Sequence, residues 1–145
     1  MEGHGKPEAL LEANQLILHE LQPYNHGTIE DTATVTNPVG IGRGTVIHNR
    51  TTIRGPVIIG DHYEIGPNAY IGPYTSIGDN VTIRNTEIEN TIIMEGTHIE
   101  CGRRITDSLI ERNVRIIGHE QNIPRGHKLI LRDMPPSPYR PRKIA

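Results

Sequence analysis

The chain has 145 residues, a formal net charge of −2, a single cysteine, no Phe or Trp, and only 3% aromatic residues. Its size sets one domain, its near-neutral charge removes the electrostatic argument for nucleic acid or an anionic membrane, and the lone Cys101 excludes an internal disulfide and a cysteine-based metal cluster. No signal-like or membrane-length apolar run occurs, so the expected location is the cytoplasm, with no nucleic-acid or membrane partner. The first predicted element is a helix over Pro7 to Leu21, with Pro7 at its first position, Glu8 in its first turn and Pro23 just past its end. Leu10, Ala13, Ile17 and Leu21 line one face, with Leu11 and Leu18 beside it. Residues 1–27 therefore read as a unit that caps the N-terminal end of a repeat region or joins that region to another domain.

Residues 28–122 are organised by a period of six. Ile29, Val35, Ile41, Ile47, Ile53, Ile59, Ile65, Ile71, Ile77 and Ile83 recur without a slip, and neither a helix nor a half-buried strand produces that spacing. Three hexads make one turn of a triangular solenoid, so residue i lies under residue i+18 at about 4.8 Å and identical side chains stack. The aliphatic ladders form the core. Gly42, Gly60, Gly66, Gly72 and Gly78 follow ladder residues and are expected to supply positive φ at the corners. Small or β-branched residues sit four positions after each ladder residue, for example Ala33, Thr45, Val57 and Thr75. Tyr63 breaks that rule and is expected to bulge outward. Beyond Ile83 the run Ile88, Ile93, Ile99, Ile105, Ile110, Ile116 mixes spacings of five and six, so the later coils are shortened. Glu95, Glu100, Arg103, Arg104, Asp107, Glu111, Arg112 and Arg115 decorate their outer faces as a solvated charged surface. Residues 123–145 read as a short strand over Leu129 to Leu131 followed by a Pro- and Arg-rich tail.

Hexapeptide folds host several chemistries, and each needs particular residues. Acyl transfer would need a His general base, for which His48 and His62 are the candidates, but they lie two hexads apart and share no corner. A zinc site like that of the γ-type carbonic anhydrases would need three His in ladder relation, and His98, His119 and His127 have none with His48 or His62. The GIGRGT segment, Gly40 to Thr45, resembles a phosphate loop only in composition, since no strand, loop and helix surround it. Tyr63, Tyr70 and Tyr74 cluster about successive corners as a possible contact patch.

The opening GKPEALLEAN, the hexapeptide body and IIMEGTHIECGRRITDSLIERNV from Ile92 to Val114 resemble the C-terminal region of long-form glucose-1-phosphate thymidylyltransferases, up to about Val114. The resemblance implies an all-β fold, a left-handed parallel β-helix of about five coils with an N-terminal helix, following a catalytic nucleotidyltransferase domain. It implies Mg²⁺ for the parent enzyme. This chain departs from such enzymes in having no Gly-rich nucleotide loop, and Gly3, His4 and Gly5 stand where the family carries an Asp. No catalytic or metal-binding residue is therefore assigned and no cofactor is expected of this chain, while any cofactor-binding residue stays unknown. The expected function is that of a non-catalytic assembly or regulatory C-terminal domain of a sugar-1-phosphate nucleotidyltransferase, detached from its catalytic domain. A hexapeptide acyltransferase is the alternative, and a carbonic anhydrase-like metal protein a lesser one. Val46, Ile58 and Tyr70, each outward and one position before a ladder residue, predict a homo-oligomer, with a trimer favoured.

Overall fold

The computed structural model describes residues 7–118 and 130–131. In chain order the elements are helix α1 (Pro7–His19), then strands β1 (Tyr24–Asn25), β2 (Thr28–Ile29), β3 (Thr34–Thr36), β4 (Val39–Ile41), β5 (Val46–Ile47), β6 (Thr51–Arg54), β7 (Val57–Ile59), β8 (Glu64–Ile65), β9 (Ala69–Ile71), β10 (Thr75–Ile77), β11 (Thr82–Ile83), β12 (Glu87–Ile93), β13 (His98–Glu100), β14 (Arg104–Ile110), β15 (Arg115–Ile117) and β16 (Ile130–Leu131). Every pairing between them is parallel and joins one coil to the next, the arrangement of a β-solenoid of about five turns.

Stacking obeys the hexapeptide register. Ile47 pairs with Ile65, Ile53 with Ile71, and Ile41 with Ile59, each eighteen residues apart. The short coils then take over: Ile77 pairs with Ile93 and Ile83 with Ile99 at sixteen, and Ile88 with Ile105 and Ile99 with Ile116 at seventeen. The ladders continue unbroken through the change, and from Ile41 to Ile116 their members are at most 3% exposed. Burying one such side chain stabilises the fold by about 1.5–3 kcal/mol. Shortening has a visible cause. β12 and β14 each run seven residues through a corner that earlier coils turn between two separate strands.

The corners depart from expectation. Among the glycines expected to supply positive φ, only Gly66 does so. The left-handed positions are instead stacked columns: Arg50, Asn68, Asn85 and Gly102 at one corner, Gly44, His62, Asn80, Gly96 and Asn113 at the second, and Tyr74, Asn90 and Asp107 at the third. Asparagine recurs because its short polar side chain tolerates this region. Gly42 and Gly60 are required for close approach rather than for φ. A Cβ on Gly42 would lie 2.3 Å from Asp61 Oδ1, and one on Gly60 would lie 2.3 Å from Asp79 Oδ1.

Tyr63 also corrects the sequence reading. It points inward, fully buried, with its backbone N–H donating to Thr45 Oγ1 at 3.3 Å and its hydroxyl donating to the Gly78 carbonyl. A large ring fits beside small Thr45, and the buried phenol finds an acceptor, which removes the main cost of placing it there.

The helix corrects two further expectations. Its buried positions are Leu11, Asn14 and Leu18, while Leu10, Leu16 and Ile17 are exposed, so the packing stripe is rotated from the one predicted. It packs against β12 and β14 on the flank of the solenoid rather than over the first coil. Ile29, in that first coil, is consequently 36% exposed. β16 pairs with β14 through Leu109 and Ile130, at the place predicted for a terminal strand. The predicted tail lies outside the described residues.

Candidate functional site

The glycine-rich segment from Gly40 to Thr45 uses its donors within the solenoid. Gly42 N–H donates to the Ile59 carbonyl at 3.0 Å and Arg43 N–H to Asp61 Oδ1 at 2.9 Å, while Thr45 Oγ1 donates to the Gly60 carbonyl at 2.7 Å. Asp61 repeats the device one coil on, its N–H donating to Asp79 Oδ1 at 2.9 Å. A carboxylate of the next coil thus occupies the position at which a phosphate loop would hold an anion.

His48 and His62 are not brought together. His48 sits on the outer face of the sheet formed by β2, β5, β8, β11, β13 and β15, with Nδ1 3.3 Å from Glu30 Oε2 and Nε2 3.5 Å from Glu64 Oε1. His48 thus lies between carboxylates of the coils below and above it, and among the described residues no second His shares its corner. His62 occupies a corner column above Gly44, its N–H donating to the Arg43 carbonyl at 2.8 Å. His98 Nε2 lies 3.4 Å from Glu100 Oε1, and His119 and His127 fall outside the described residues. Along this face Glu64 also meets Arg84 at 3.6 Å and Arg84 meets Glu100 at 3.5 Å, giving an alternating row of half-exposed charges. Such pairs contribute about 0–1 kcal/mol each. Among the described residues no three His, Cys, Asp or Glu side chains stand together as a metal donor set. The Mg²⁺ implied for the parent enzyme has no fitting donor set among these described residues.

The three tyrosines do not form one patch. Tyr63 is in the core, where burial, with Asp79 adding to it, raises its pKa well above the ordinary phenol value. Tyr70 is half-buried and donates to Glu89 Oε2 at 2.9 Å, and burial first, then that hydrogen bond, raise its pKa. Tyr74 holds a corner, and its carbonyl accepts from Asn14 Nδ2 at 3.0 Å.

Two arrangements were not legible as sites in the sequence. The first is the helix seat. Asn14, only 9% exposed, is satisfied at both ends, since Ser76 Oγ donates to its Oδ1 at 2.5 Å. Gln15 Nε2 donates to Asn90 Oδ1 at 2.9 Å, and Asn90 Nδ2 to Asp107 Oδ1 at 2.6 Å, which ties the helix to the third corner column. The second is a cleft of about 470 Å³ beside the first corner column, lined by Asn68, Asn85, Thr86, Glu87, Gly102, Arg103 and Arg104. Arg103 is one of the lining residues and its Nε is buried with no hydrogen-bond partner, while Arg104 Nη2 donates to Glu89 Oε1 at 2.9 Å. Thr86 is already engaged, its hydroxyl donating to the Arg84 carbonyl at 2.8 Å and accepting from Cys101 N–H at 3.2 Å. Burial keeps the Cys101 thiol protonated by raising its pKa, so this cysteine is not a poised nucleophile. The signal in the sequence was the Gly-Arg-Arg run directly after Cys101.

Comparison with known proteins places the chain in a family. A glucose-1-phosphate thymidylyltransferase of Streptomyces antibioticus is 38% identical over 129 residues, covering 89% of this chain and 35% of that protein. A low-salt glycan biosynthesis nucleotidyltransferase of Haloferax volcanii is 37% identical over 127 residues, covering 88% and 36%. A bifunctional sugar-1-phosphate nucleotidylyltransferase/acetyltransferase of Sulfurisphaera tokodaii is 36% identical over 112 residues, covering 76% and 28%. The chain thus spans about a third of the length of the curated relatives it matches. The GMPPB C-terminal domain family matches residues 53–125, half of the chain, across the regular coils, the shortened coils and the Gly-Arg-Arg corner alike. This chain belongs to the GMPPB C-terminal domain family.

Proposed function

We propose that this chain is the non-catalytic assembly or regulatory domain of a sugar-1-phosphate nucleotidyltransferase of the glucose-1-phosphate thymidylyltransferase kind, working in the cytoplasm beside a catalytic nucleotidyltransferase domain. The observation that carries the reading is the match of nearly the whole chain to a third of such enzymes, combined with a glycine-rich segment whose donors already serve the neighbouring coil. Residues 1–27 serve as the arm toward that domain, residues 28–122 as the solenoid, and residues 123–145 as a strand and tail. Val46, Ile58 and Tyr70 support self-association, with three copies favoured, because each is outward and only half-buried in the single chain. The test is pyrophosphate release from thymidine triphosphate and glucose 1-phosphate with Mg²⁺. The chain alone is expected to give no turnover above a heat-killed blank, and turnover would overturn the reading. Light scattering on the 16.2 kDa chain tests assembly, and a monomer mass that persists on concentration would remove it.

The Sulfurisphaera tokodaii relative, a bifunctional nucleotidylyltransferase/acetyltransferase, favours one second reading, acetyl transfer. The separation of His48, on a sheet face, from His62, in a corner column, opposes it, since the two candidate bases build no common site. Consumption of acetyl-coenzyme A with an amino-sugar phosphate acceptor separates the two.

A further inference from the structure

The cleft at the first corner column is built for a ligand that accepts hydrogen bonds. Its lining includes Arg103, Arg104, Asn68 and Asn85, four residues whose side chains carry hydrogen-bond donors. Asn68 Oδ1 is held by Arg50 Nε at 3.0 Å, which leaves its amide N–H groups as the free end. Asn85 Nδ2 stands 3.6 Å from where a Cβ on Gly102 would lie, so the glycine leaves the amide nitrogen open space at the corner. Thr86 is engaged elsewhere, and Glu87 is the one carboxylate in the lining. A buried guanidinium N–H without an acceptor is a costly group for a protein to keep, and Arg103 Nε is in that state.

We infer that this cleft binds the phosphoryl group of a small phosphate ester, with Arg103 as its central contact and Arg104, Asn68 and Asn85 around it. Arginine suits such a ligand because its planar fork places parallel N–H donors against two oxygens of one phosphoryl group. About 470 Å³ exceeds what a bare phosphate needs and lies within the range of small-metabolite pockets, so the ester carries a further group the size of a sugar. Arg104 keeps its contact to Glu89 and adds charge at the rim. Glu87 opposes the ligand by like charge and so sets an upper limit on affinity. The site requires nothing of a catalytic domain, so it stands whether or not the domain reading above holds.

Arginine side-chain N–H resonances of the full chain report on this directly. Inorganic phosphate, glucose 1-phosphate and sodium acetate are titrated separately at constant ionic strength. The Arg103 Nε–H signal is expected to shift saturably with both phosphates, more tightly with glucose 1-phosphate, and not with acetate. Arg103→Gln is expected to weaken phosphate binding about tenfold or more, in keeping with loss of a charge-assisted hydrogen bond. Glu87→Gln is expected to tighten it severalfold by removing the opposing charge. An Arg103 Nε–H signal that stays fixed through tens of millimolar of either phosphate overturns the inference, as does an equal response to acetate. Because the wild-type signal alone decides the matter, the outcome does not depend on whether the Arg103 variant folds.

Discussion

The coils up to Ile77 and those after it share one core and differ in almost everything on the outside. The early coils keep eighteen residues per turn, and their sheet face starts a polar row, Glu30, His48 and Glu64, that runs on through Arg84 to Glu100 in the later coils. The later coils lose one or two residues per turn, run β12 and β14 through a corner, carry the helix, and hold the arginine cleft. Regularity makes a spacer; departure from it makes binding surfaces. A solenoid tolerates this because each coil contacts only its neighbours, so a corner can be rebuilt locally while the ladders inside continue.

The comparison can be broken most forcefully at the core. Ile71→Asp in an early coil and Ile99→Asp in a late one each bury an unpaired carboxylate at a fully buried site, and each is expected to cost about 4 kcal/mol or more. Urea melts measure both. If Ile99→Asp were tolerated, the late coils would not share the early core.

Next in size is Asn14→Ala. It leaves the Tyr74 carbonyl and the Ser76 hydroxyl without their partner, at an expected cost of about 1–3 kcal/mol. Hydrogen exchange should show residues 7–19 losing protection while the early coils keep theirs. Uniform loss of protection would mean that the helix is part of the core rather than seated on the late coils.

Tyr63→Phe tests an early coil and should cost about 1 kcal/mol by removing the hydroxyl's bond to Gly78. It also carries a pH signature. Burial raises the folded-state pKa above the ordinary value of 10.0, so below pH 10 both states are protonated and the contribution is fully present. Above pH 10 the unfolded chain releases the proton while the folded chain holds it, and stability falls. Thermal melts from pH 8 to 11 should show that decline in the wild type and a shallower one in the Phe variant, where Tyr70 still contributes. Equal slopes would place Tyr63 outside the core.

The smallest effect belongs to the charged face. Glu64→Gln, at a side chain 53% exposed, is expected to change stability by no more than about 0.5 kcal/mol, with the difference vanishing in high salt. A larger loss would make the alternating row a structural element rather than a solvated surface.

The sequence by itself determined the solenoid, its register and the shortening of its later coils, because a ladder core demands an aliphatic residue at every stacking position and the spacing of Ile29 through Ile116 is that demand written linearly. It also showed where the arginines lie along the chain. Tertiary structure alone decided which face of α1 is buried, that Tyr63 turns inward, that Asn shares the left-handed corner positions with a largely different set of glycines from the one expected, and that Arg103, Asn68 and Asn85 line one cleft. The physical reason is the same in each case. A helix flanked by apolar residues on two sides has no intrinsic preference until a hydrogen-bonding seat for Asn14 selects one. A tyrosine can enter a core only where an acceptor such as the Gly78 carbonyl waits, and both partners were far away in sequence.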